Sequence, residues 1–79
     1  METNNYDRER LLREALQQED VTMASLEEAL GLREQEILCQ LYGEQAEEHI
    51  RRVCRILKID QGYFSGQMHY EGGSLVRRG

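Results

Sequence analysis

The chain has 79 residues, 15 acidic and 10 basic side chains, a net charge of −5 and no proline. That is enough for one small domain with one modest core. No apolar run approaches the roughly 20 residues needed to span a bilayer, and the opening METNNYDRER lacks the charged-then-apolar layout of a secretory signal, so a soluble, cytoplasmic protein is expected.

Leu, Glu, Arg, Gln and Ala dominate, all strong helix formers, and no alternating β-branched run is long enough for a sheet. An all-α domain of five helices is expected. Helix 1 is predicted over residues 7–18, with Asp7 as N-cap and Leu11, Leu12, Ala15 and Leu16 as its apolar stripe. Helix 2 is predicted over residues 23–30, capped by Thr22, with a Val21–Leu26 staple and with Leu26, Ala29 and Leu30 facing inward. Gly31 is the residue expected to end it in the left-handed region. Helix 3 is predicted over residues 33–42, with Ile37 and Leu41 inward and Gly43 as its stop. Helical spacing on both sides of a glycine is the pattern of a helix-turn-helix, a unit that commonly places its second helix in the DNA major groove. Helix 4 starts near Gln45 or Ala46 and carries Ile50, Val53, Cys54 and Leu57 on one face. Asp60 caps a short helix 5 containing Tyr63 and Phe64. From Gln67 onward the chain is short and glycine-rich and is expected as a flexible tail, or as a brief strand in need of a partner. The expected division is a domain over residues 1–66 and a tail over 67–79.

Charge is distributed unevenly. Residues 22–49 hold seven acids and one arginine, whereas residues 50–58 hold Arg51, Arg52, Arg55 and Lys58 and no acid. The basic group is read as helix-dipole compensation with Glu47–Arg51 and Glu48–Arg52 pairs, or as a docking patch for an acidic surface. Arg77 and Arg78 are read as a disordered end or as a backbone-gripping arm. Cys39 and Cys54 match no zinc spacing; Cys54 is expected in the core and Cys39 half-exposed. His49 and His69 are not a metal pair, and no nucleophile–base constellation has catalytic spacing. A non-enzyme without cofactor or metal is expected.

Thr22 opening helix 2, Leu26, Leu30-Gly31-Leu32 at the turn, Ile37 and Gly43 resemble the λ-repressor-like helix-turn-helix family of phage repressors, Cro proteins and their bacterial relatives. The resemblance continues through Ile50, Val53, Cys54, Leu57, Ile59 and Phe64, where that family has its last core residues. It implies a small DNA-binding transcription regulator of phage or bacterial type, with Met23, Arg33, Glu34, Gln35, Glu36 and Cys39 on the binding face. Arg33 and Gln35 suit guanine and adenine edges. A dimer through Tyr63, Phe64 and the C-terminal tail is expected, because one such domain touches few phosphates. The chain departs from the family at Glu27, where a small residue is usual, at Met23 and Arg33, and in the acidic loop of residues 44–48. Those departures support a second expectation: an acidic adaptor or anti-regulator that uses the same scaffold to bind a basic protein surface instead of DNA.

Overall fold

The computed structural model describes residues 5–77. Four α-helices precede a two-stranded antiparallel sheet: α1 (Asn5–Gln18), α2 (Met23–Leu30), α3 (Glu34–Cys39), α4 (Ala46–Leu57), a single 3-10 turn (Gln61–Tyr63), β1 (Met68–Glu71) and β2 (Ser74–Arg77). Two features correct the five-helix, all-α expectation. The segment expected as helix 5 makes only one 3-10 turn. Asp60 caps it through the Gly62 amide at 2.7 Å, and Gly66, at φ 86°, turns the chain away. The segment expected as a flexible tail is a hairpin. Gly72 and Gly73 both have positive φ, 62° and 84°, which suits a two-residue turn matching the twist of paired strands. The register pairs Met68 with Arg77, His69 with Val76, Tyr70 with Leu75 and Glu71 with Ser74.

The hairpin is tied to the helical body by Tyr70. Its hydroxyl donates to Glu19 at 2.8 Å, and its ring meets Tyr63 edge-on at 5.2 Å. Tyr63 in turn donates to the Leu11 carbonyl of α1 and packs edge-on against Phe64 at 5.1 Å. Burial and the neighbouring carboxylates raise both phenols above their ordinary value, so both remain protonated donors.

The core gathers Leu12, Ala15 and Leu16 of α1, Leu26 of α2, Ile37 of α3, Leu41, the α4 residues Ala46, Ile50, Val53, Cys54 and Leu57, and Tyr63 with Phe64. The α4 residues recur at three- and four-residue spacing, so one side of that helix is buried and the other is exposed. α2 has the predicted bounds, with Thr22 accepting from the Ser25 amide at 3.1 Å and Gly31 at φ 70°. Ala29, expected inward, is exposed. α1 already includes Asp7, so Asp7 is not its N-cap. α3 is shorter than predicted. Beyond Cys39 the chain tightens, with Leu41 and Tyr42 amides bonding back three residues to Leu38 and Cys39.

Candidate functional site

The surface that the helix-turn-helix reading singles out is built around α3, and neighbouring elements hold α3 at both ends. Gly31 and Leu32 amides both donate to the Glu27 carbonyl, at 2.8 and 3.1 Å, closing the end of α2. The Glu27 carboxylate then reaches forward and accepts from the Glu34 amide, at 2.7 Å. Glu36 accepts from the Arg33 amide at 2.9 Å. That is one half of a capping box; the other half is chemically absent, because a guanidinium has no acceptor. Two amides at the start of α3, those of Arg33 and Glu34, are thereby met by acids of the chain itself. Glu34 is additionally paired with Arg13 of α1 at 3.0 Å, and Arg13 also holds Glu9 at 3.1 Å. Those hydrogen bonds, to Glu34 first and Glu9 second, raise the Arg13 pKa above its ordinary value.

At the other end, His49 of α4 lies 3.0 Å from the Ile37 carbonyl through Nε2. Arg8 of α1 donates to the Leu41 carbonyl and sits 5.8 Å from the centre of the Tyr42 ring. The Tyr42 hydroxyl accepts from the Glu9 amide at 3.1 Å. Six residues are too few for a self-sufficient helix, so these ties and the buried Ile37 place α3.

The outer side of α3 presents Arg33, Gln35, Glu36, Cys39 and Gln40, all exposed. Among the described residues, the side chains of Arg33 and Gln35 make no hydrogen bond within the chain. Glu34 is half-buried under its contacts to Arg13 and Glu27. Met23 is half-buried against the core. Glu27, Arg13, Arg8 and His49, which sequence reasoning missed as parts of this site, hold it in place. Glu27 alone carried a signal, as a carboxylate where the resembling family has a small residue.

Elsewhere, the Glu48–Arg52 pair forms at 3.4 Å with both side chains largely exposed. Glu47 and Arg51 form no such pair among the described residues. Arg77 is exposed at the end of β2, and Arg78 lies outside the described residues. Cys54 is buried, which pushes its thiol up to about 11, and Cys39 is exposed. Among the described residues no three His, Cys, Asp or Glu side chains are grouped to hold a metal ion, and no helix is long and apolar enough to cross a membrane. No family model, no curated protein and no solved structure matches the chain.

Proposed function

We propose that the chain is a small helix-turn-helix regulator that binds double-stranded DNA through the outer side of α3. The observation that supports this reading most is the division of labour on that helix. Glu27, Glu34 and Glu36 are engaged in caps and an ion pair, while Arg33 and Gln35 stand exposed with unused donors. Three of the seven acids in residues 22–49 thus have a part in holding that helix. Arg33 is suited to the guanine edge and Gln35 to the adenine edge.

A dimer would supply the phosphate contacts one domain lacks. Tyr63 and Phe64 do not serve it, since they are 1% and 6% exposed within the domain itself. Each strand of the two-stranded sheet has one unpaired edge, and such an edge offers a second copy a place to pair.

The test is fluorescence anisotropy against a pool of random duplexes at low salt, followed by selection. Wild type should bind and enrich a sequence. Arg33→Ala should weaken that binding by about 1–3 kcal/mol and blur the sequence preference. Absence of binding at low salt overturns the proposal. The adaptor reading draws on Glu28, Glu44 and Glu47, which are exposed and unpaired among the described residues. It predicts capture of a basic protein with no duplex binding.

A further inference from the structure

His49 is the one polar or charged side chain buried among the described residues, at 5% exposure. It sits on α4 and reaches the Ile37 carbonyl of α3. A carbonyl can only accept, so the neutral ring is the Nε2–H tautomer donating to it. Ile37 lies in the last turn of α3, where carbonyls have no partner within the helix. His49 therefore ties a helix of six residues, which cannot hold its own shape, to the twelve residues of α4.

We propose that His49 is a positioning residue for the outer side of α3, and that its protonation loosens α3 and makes ligand binding pH-dependent. The clause on binding rests on the DNA reading above; the clause on α3 does not.

The surface depression beside His49 is lined by Glu48 and Arg52 of α4 and by the amides Gln40 and Gln45. Among the described residues no carboxylate is hydrogen-bonded to the imidazole, and Glu48 is engaged with Arg52. Burial opposes the imidazolium most strongly, the bond to Ile37 favours it, and Arg52 opposes it. The net direction is down from the ordinary 6.5. A group held below its unfolded-state value adds stability that is intact above about pH 6.5. That stability is lost as pH falls from there through the folded-state value, because the unfolded chain takes up the proton more readily. An imidazolium keeps its Nε2–H on the Ile37 carbonyl, but its charge sits in a ring that is 5% exposed, so parting of α3 from α4 gains it water.

The experiment uses the full chain. NMR follows the His49 ring titration and the protection factors of α3 amides, relative to α1, from pH 7.5 to 5.5. Anisotropy follows affinity for one selected duplex over the same range. His49→Gln is the companion variant, because its amide carries a donor for Ile37 and does not titrate. Wild type should lose α3 protection faster than α1 as pH falls, and its affinity relative to His49→Gln should drop by at most about tenfold per pH unit, the limit for one linked proton. A wild-type ring that titrates at or above 6.5, or α3 protection that is level across the range, overturns the proposal. So does an equal pH dependence in His49→Gln. If that variant does not fold, the wild-type ring titration and α3 protection decide alone. Failure of wild type to bind duplex at any pH overturns the DNA reading, while α3 protection still decides the role of His49.

Discussion

The Glu27 carboxylate of α2 accepts a hydrogen bond, at 2.7 Å, from the amide of Glu34, the first residue of α3. The contact crosses the turn at Gly31, so it couples the angle between the two helices to one side chain. Glu27→Ala should lower stability by about 0.5–2 kcal/mol, the range for losing a helix cap. Glu27→Gln keeps an acceptor and should cost less than half as much. Urea denaturation of the three proteins checks the order.

Leu26 and Ile37 are fully buried on the facing sides of α2 and α3. Leu26→Ala and Ile37→Ala should each destabilise by about 2–5 kcal/mol, the transfer loss plus the cavity left behind. Thermal melts within a degree or two of wild type would contradict this packing.

Gly31 has φ 70°, and a Cβ placed there would meet no atom within 4 Å. The cost of a side chain at this position is therefore in the backbone. Gly31→Ala should cost about 1–2 kcal/mol and Gly31→Val more, because a β-branched residue fits the left-handed region worst. Equal stability of the two variants by calorimetry would contradict a purely backbone origin.

Glu34→Gln with Glu36→Gln removes two charges beside the exposed side of α3 while leaving an acceptor at residue 36 for the Arg33 amide. The Arg13–Glu34 pair that is lost is about half exposed at both ends, so the fold should weaken by no more than about 1 kcal/mol. Under the DNA reading this double substitution tightens duplex binding, since phosphates lose two repulsive neighbours. Under the adaptor reading it weakens capture of a basic protein. Anisotropy and a binding assay with a basic protein, run on the same preparation, give opposite signs.

The two thiols should differ sharply in reactivity. Cys54 is buried and its thiol is pushed up to about 11, whereas Cys39 is exposed. At pH 8 a thiol-specific reagent should label one cysteine per native chain quickly, and both only after unfolding. Rapid native labelling of Cys39→Ser would contradict the buried placement.

Local signals in the sequence determined α2 and its surroundings. Thr22, Leu26 and Gly31 each act within a few residues, as cap, anchor and left-handed stop, and the helix bounds follow from them. The inward side of α4 was equally legible, because a three- and four-residue recurrence of apolar side chains needs no knowledge of what covers it. Tertiary structure decided the C-terminal segment. Gly72-Gly73 permits a hairpin or a loose tail, and the hairpin holds through Tyr70, which donates to Glu19 about fifty positions earlier and packs on Tyr63, itself bonded to Leu11 of α1. The electrostatics of α3 were likewise decided in three dimensions. Glu27, Glu34 and Glu36 read as a repulsive acidic surface in one dimension. In the folded chain Glu27 and Glu36 are acceptors for amides at the start of a short helix, and Arg13 arrives from α1 to pair with Glu34. The role of His49 depends on the Ile37 carbonyl twelve residues earlier, a partner that no periodicity announces.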